Sequence, residues 1–451
     1  MTDLDARTLP LDPESADRLD SRGLRMELVD TSDSAAFDAW LRADSRGFHD
    51  ENPDAERLSA SREALAYRRT TAVTDPTSDA PTDPVATVSS WVADLTVSPG
   101  RSVDAWAISA VTVRPTHTGR GVARAMLEGE LRTASAAGLP LAALTVSEAT
   151  LYGRYGFAPA AMTADWTIKS ARATWMGPVP AGRVDLIDAQ TWRDGIDELH
   201  ERVRRTQPGH IEAWGRRWDQ LAGLSGEEPD RARRLQAARY SDEEGVTRGL
   251  LLYRVTGGDA DYAEHTVTIE NLSTETDDAY AALWRLALTI PLANEVVAPL
   301  RRIDEPVRWQ IADYRSMTLS PRDNLWLRIL DVPAALTSRR WDVPGVLALD
   351  VTDPLGFSEG SWVLTSDAEG GATVTGAPGA GVGTGTSGAD ADGRDQARIS
   401  LGIAELSAVY LGGVSVESLA RAGRIRGDAD SIRRADAIFR ASTEPWLPFW
   451  F

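Results

Sequence analysis

The stretch AVTVRPTHTGRGVARAML, residues 110–127, constrains this chain more than any other segment. β-Branched residues run up to Val113, and then Pro115, Gly119 and Gly121 mark a turn. Beyond it, Val122, Met126, Leu127, Leu131 and Ala134 recur on one helical face, and Gly138 suits the helix C-terminus. The pattern is strand, glycine turn, helix. A helix start carries about half a positive charge and unpaired N–H groups, so it attracts phosphate. The glycines let a ligand approach the backbone, and Arg120 adds charge. A P-loop needs Gly-Lys-Ser/Thr here, but Lys169 is the only lysine of the chain. A dinucleotide fingerprint needs a small residue where Arg124 stands and an acidic ribose ligand about 20 residues on. That region reads LPLAALTV. Both readings fail.

A third kind of turn remains, the pyrophosphate turn of the GCN5-related N-acetyltransferases, Arg/Gln-x-x-Gly-x-Gly/Ala. Gly121 and Ala123 match its small positions, while Thr118 replaces the usual Arg or Gln. The context agrees. PVATVSSWVADLTV and SVDAWAISAVTV, separated by the turn signal SPGR, form a hairpin just before the turn. After the next strand comes SEATLYGRYGFAPA, and a YGxxGF segment is the second hallmark of that superfamily. The resemblance implies a central mixed sheet whose middle strands splay apart. The pantetheine arm of the coenzyme would pair with Val111, Thr112 and Val113 like an added strand.

More narrowly, the whole chain resembles the enhanced intracellular survival (Eis) acetyltransferases of actinobacteria. This implies an α/β chain with mixed α+β sheets: tandem GCN5-related acetyltransferase folds, then a sterol-carrier-protein-like α/β domain. The expected divisions are a disordered acidic N-terminus (1–23), a catalytic domain (24–180), a degenerate second acetyltransferase-like domain (181–333) and the sterol-carrier-like domain with a catalytic C-terminus (334–451). ARISLGIAELSAVYLGGVSVESLARAGRI carries the last likeness. Residues 370–393, rich in Gly, Ala and Thr, read as a mobile loop.

Carried over by position, acetyl-CoA contacts fall on Val111, Thr112 and Val113, on Gly119, Arg120, Gly121, Val122, Ala123 and Arg124, and on Ser147 and Glu148. The general acid falls on Tyr152 and the general base on the Phe451 carboxylate. Asp50 and Glu444 are candidates to line a pocket for a cationic substrate, and read equally well as solvated loop residues. The implied reaction is direct acetyl transfer from acetyl-CoA to primary amines, of aminoglycosides or lysines, in a homohexamer of the cytoplasm. Two rivals stay open: a coenzyme A-binding pseudoenzyme, for which Thr118 leaves room, and a carrier of hydrophobic ligands built on the third domain.

Physical chemistry supports these assignments. An alkylammonium has a pKa near 10.4, so about one in a thousand is neutral at pH 7 and a base is needed. Tyrosine, near 10, suits a donor to a departing thiolate. A free α-carboxyl, about 3.3–3.7, is a weak base. Burial beside Trp446, Phe449 and Trp450 of the tail EPWLPFWF would raise it, with Pro445 and Pro448 keeping that tail out of a helix. In the second domain the matching helix starts Thr276-Asp277-Asp278-Ala279. Its carboxylates repel a pyrophosphate, so one coenzyme site per chain is expected. The formal net charge of −19 disfavours nucleic acid and anionic membranes and suits a cationic partner. The chain has no cysteine, which removes thiolate metal sites and acyl-cysteine chemistry. The five histidines lack metal-ligand spacing, so no metal is expected. No apolar run reaches the roughly 18 residues of a membrane span, and the acidic N-terminus has no signal-peptide character.

Overall fold

The computed structural model describes residues 4–214, 216–225, 229–258, 264–376 and 397–451. They form two compact units. The first comprises Met1–Ala161, Asn324–Pro445 and Trp450–Phe451; the second comprises Met162–Asp323 and Trp446–Phe449.

The first unit opens with α1 (Pro13–Asp20), β1 (Arg25–Val29), α2 (Ser34–Gly47), α3 (Ala55–Leu65), β2 (Arg69–Thr74), β3 (Pro84–Ser98), β4 (Arg101–Val113), α4 (Val122–Ala136), β5 (Leu141–Thr145) and α5 (Ala149–Tyr152). The strands lie side by side in chain order, antiparallel except for parallel β4–β5. The apolar face read from the sequence of α4 is buried against this sheet. β4 and β5 pair only from Ala105–Leu141 to Ile108–Leu144, although β4 runs on to Val113. A bulge between the Thr87–Thr112 and Ser89–Ser109 pairs, with Ala110 at φ 56°, turns the end of β4 aside. The middle strands therefore part, as the resemblance implied.

The N-terminus departs from expectation. Residues 1–23 read as disordered from their acidity, yet Ala6–Thr8 form a helical turn and Pro13–Asp20 are α1. Asp12 caps the helix by accepting the Ser15 N–H, with Pro13 at the first helical position. Leu19 is fully buried. The Ser15 hydroxyl donates to the Ala125 carbonyl at 2.6 Å, and Arg132 grips Asp12 at 2.9 and 2.7 Å. Gly129 of α4 lets α1 come close, since a Cβ there would lie 2.9 Å from Ser15 Oγ. The acidic residues serve as a cap and as ion partners, so their charge does not keep the segment apart.

The second unit contains β6 (Ala158–Ile168, from Met162), β7 (Arg183–Ile187), α6 (Ala189–Arg204), α7 (Arg217–Leu221), α8 (Pro229–Ala232), β8 (Leu235–Ser241), β9 (Thr247–Gly257), β10 (His265–Thr274), α9 (Asp277–Leu288), β11 (Ala293–Arg301), α10 (Val307–Gln310) and the start of β12 (Met317–Ile329). It repeats the plan of the first. β9 and β10 form an antiparallel pair, α9 follows, and β11 returns parallel to β10, pairing only from His265–Ala293 to Thr268–Val297. Trp166, Leu283 and Trp284 centre its core.

Back in the first unit, residues 325–329 of β12 pair antiparallel with β5. There follow α11 (Val332–Ser338), β13 (Gly345–Thr352), β14 (Gly360–Ser366), β15 (Ala372–Gly376), β16 (Ala397–Gly402), α12 (Ile403–Val409), α13 (Val416–Arg421), β17 (Ile425–Arg426) and α14 (Ala429–Phe439). Their five strands order as β15-β14-β13-β16-β17. The loop expected over 370–393 is therefore a strand in part, because Thr373 and Thr375 pair with β14; residues 377–393 lie outside the described residues. A buried polar seam ties this sheet to the β5–β12 strands. Arg328, fully buried, donates to both Asp353 oxygens at 2.6 and 2.7 Å and to the Tyr155 carbonyl at 3.0 Å.

Candidate active site

The glycine turn is built as its chemistry requires. Gly119 and Gly121 adopt φ of 75° and 72°, left-handed values that favour glycine. Gly121 is the N-cap of α4, and no side chain caps that helix. Its first N–H groups are left for a ligand. Around the turn, however, positive charge is already engaged. Arg120 lies 3.5 Å from Asp75, and Arg124 donates to Glu128 at 2.7 Å. Thr118 supplies no charge and turns its hydroxyl back onto the Pro115 carbonyl at 2.9 Å. Asp75 also bonds Thr77 and His117, which hold its carboxyl well below the usual range. Val122 is buried in the helix–sheet core and Ala123 is half-buried.

At the end of β4 only backbone is free for a ligand to pair with. Thr112 is buried, its hydroxyl bonded to Thr87 at 2.7 Å, and its side chain fills the space left by Gly47 of α2. Val111 and Val113 flank it half-buried, and none of the three pairs with β5.

Sequence reasoning did not foresee how Phe451 is held. The Thr145 hydroxyl, at the end of β5, donates to the Phe451 backbone oxygen at 2.8 Å and accepts its backbone N–H at 3.3 Å. Phe451 thus sits where β5 leaves the gap beside β4. Its ring meets Trp91 of β3 edge-on at 5.4 Å. The Arg68 guanidinium lies 4.0 Å from the centroid of that indole system. Trp91 supplies an apolar neighbour to Phe451. Trp446 and Phe449 are buried in the second unit. Trp446 donates to the Leu300 carbonyl at 2.8 Å and packs on His210, and Phe449 lies under Arg217. Trp450 is partly exposed.

Just past Thr145 come Ser147 and Glu148, both exposed, with Glu148 at the start of α5. Tyr152 ends α5 and packs edge-on to Phe157. Burial, and then the nearby Glu148, push its phenol up to about 12. Asp50 is exposed beyond α2. It raises the pKa of a residue the sequence did not single out, Asp44, whose carboxyl burial drives to about 7. Glu444 lies against Gly413 of the C-terminal domain. In the second repeat, Thr276 caps α9 and Asp277 and Asp278 fill its first turn. That helix start is satisfied and negative, unlike that of α4.

Comparison with known proteins follows the same lines. Residues 29–160 and 209–329 each match a family described as an acetyltransferase (GNAT) domain, and residues 332–448 match a sterol carrier protein domain. The chain is 34% identical over 421 residues to an uncharacterized N-acetyltransferase of Streptomyces avermitilis, covering 91% of this chain and 96% of that protein. It is 31% identical over 351 residues to the N-acetyltransferase Eis of Mycobacterium tuberculosis, covering 76% and 80% of the two chains. Its fold matches the crystal structure of Eis1 from Mycobacterium abscessus at a TM-score of 0.76 and 25% identity, covering 95% and 100%. No helix among the described residues is long and apolar enough to cross a membrane.

Proposed function

Because the chain belongs to the Eis family of GCN5-related N-acetyltransferases, we propose that it transfers acetyl from acetyl-CoA to primary amines of cationic substrates, aminoglycoside-like or lysine-like. The observation that carries this is Phe451, held by Thr145 at the end of β5, where the pairing of β4 with β5 has stopped. Bound there, acetyl-CoA supplies the activated acetyl group. The residues present fit it. The edge of Val111–Val113 that does not pair with β5 would hold the pantetheine arm. The uncapped start of α4, with Gly119, Arg120, Gly121, Val122, Ala123 and Arg124, would hold the pyrophosphate, and Ser147 and Glu148 would border the thioester.

The Phe451 carboxylate takes the proton that the substrate ammonium must lose, directly or through a water. Thr145 orients it. Tyr152, with its phenol near 12, stays protonated at neutral pH. A thiolate of pKa about 8.5 does not strip that proton. Tyr152 therefore stabilises the departing sulfur by donating a hydrogen bond, short of full transfer. Asp50 and Glu444 remain the candidates for a second substrate ammonium. The second repeat binds no coenzyme, and the family likeness points to a hexamer.

A thiol-release assay with acetyl-CoA and an aminoglycoside tests this on three proteins: the full chain, Tyr152→Phe, and a chain extended past Phe451. All three should bind coenzyme, and only the first should turn over fast. Full activity in the extended chain would remove the carboxylate from the mechanism. Coenzyme binding without turnover in the full chain would leave a pseudoenzyme.

A further inference from the structure

The turn assigned to the coenzyme is poor in available charge. Its first position is Thr118, an uncharged residue whose hydroxyl is bonded within the turn. Arg120 and Arg124 each face a carboxylate, Asp75 and Glu128. A third arginine reaches the same turn from a segment 98 residues earlier. Arg22 donates through Nη1 to the Arg120 carbonyl, and Arg120 donates back to the Arg22 carbonyl at 3.3 Å. Its guanidinium covers Gly121, filling the place where any other residue would have a Cβ. Glycine leaves that place open on the N-cap of α4, where the backbone would approach a phosphate. Among the described residues, Arg22 has no carboxylate partner.

The position of Arg22 is built in. It follows α1, whose C-terminus closes with Arg22 N–H on the Leu19 carbonyl at 2.9 Å, Leu24 N–H on the same carbonyl at 3.1 Å, and Gly23 at φ 73°. α1 in turn is fastened along α4 by Ser15, by the Asp12–Arg132 pair and by Arg18 on Glu128 at 2.6 Å. The segment carries its arginine to a fixed point of the fold.

We propose that Arg22 is a phosphate-binding residue of the coenzyme site, supplying the cationic fork that Thr118 does not. The inference rests on the coenzyme site proposed above. A guanidinium bonded to a carbonyl is free to exchange that neutral acceptor for a phosphate oxygen, a shorter and stronger charge-assisted bond. The cargo recognised is the pyrophosphate of an acyl-coenzyme A. The acyl-pantetheine part, which carries no phosphate, would pair with the end of β4.

The test compares acetyl-CoA with acetyl-pantetheine, which keeps the thioester and lacks the phosphates, on the full-length protein. Arg22→Ala should weaken coenzyme A binding by about 10- to 100-fold, the range for one charge-assisted contact, and leave kcat/KM with acetyl-pantetheine unchanged. Arg22→Ala combined with Thr118→Arg should recover most of the lost affinity by returning charge to the turn. Equal loss with both donors would mean that Arg22 acts through folding, and unchanged or tighter coenzyme binding in Arg22→Ala would mean that it only covers the turn. Either result overturns the proposal. If wild-type protein fails to bind coenzyme A at all, the fault lies with the coenzyme site itself.

Discussion

Asp44 makes the stability of the first unit depend on pH in an unusual direction. It lies on α2, the helix that buries Phe37, Trp40, Leu41 and Ala43. The residue as a whole is half-buried, but its Oδ1 is sealed from solvent and lacks a hydrogen-bond partner. Burial raises its pKa from 3.8 to about 7, against the pull of Arg68 and with a push from Asp50. A carboxyl with a raised folded pKa binds its proton more tightly in the native state. Its contribution to stability is therefore complete below about pH 4 and is lost as pH climbs through 7. The change in pKa corresponds to about 4 kcal/mol, a ceiling because the rest of the side chain keeps some contact with water. Asp44→Asn removes the titration and keeps the shape. Urea unfolding of both proteins at pH 4.5, 6 and 8 measures the difference. The variant should be close to wild type at pH 4.5 and more stable at pH 8, by up to about 4 kcal/mol. A difference that stays constant across this range, or that grows toward acid, would refute the burial argument.

Three further outcomes are expected. Thr145→Val removes both hydrogen bonds to Phe451 without changing side-chain shape; at about 2 kcal/mol for contacts that include a charged acceptor, kcat in the thiol-release assay should fall about 30-fold while the KM for acetyl-CoA holds, and Thr145→Ser should restore most of the rate. In the second unit, burial lowers His200 to about 4. A depressed folded pKa means stability is retained above about 6.5 and lost as pH falls toward 4, by about 3 kcal/mol; His200→Gln should flatten that acid limb in tryptophan-fluorescence unfolding, and a limb of unchanged slope would contradict it. Arg328→Met leaves Asp353 charged and fully buried, so the first unit should lose about 3–5 kcal/mol, read by urea unfolding, and Asp353→Asn in the same chain should return part of it.

Much of this protein was legible in its sequence because the informative signals are local. The turn between β4 and α4 is specified by two glycines in consecutive reach of a β-branched strand and an amphipathic helix, and both adopt the left-handed backbone that glycine permits. The hairpin of β3 and β4, the buried face of α4, and the acidic first turn of α9 follow from residue order in the same way. The disorder expected for residues 1–23 does not hold for residues 4–23, because Asp12-Pro13 and Gly23 bracket a helix that composition alone does not reveal.

What the sequence could not supply is the set of long-range encounters. Nothing in local order says that Thr145 would meet Phe451, 306 residues away. Nor does it say that Arg22 would lie on Gly121, or that Trp91 would touch the Phe451 ring. These depend on how strands part and which surfaces bury one another, and burial is a property of the folded chain, not of any segment. The same holds for the protonation states. Asp44, Tyr152 and His200 have ordinary intrinsic acidities, and the loss of water around them in the tertiary structure, with neighbouring charges second, moves those values to where they bear on stability and catalysis. Sequence determined the elements and the kind of turn they make; the closing of the fold decided which side chains share a site and which protons they keep.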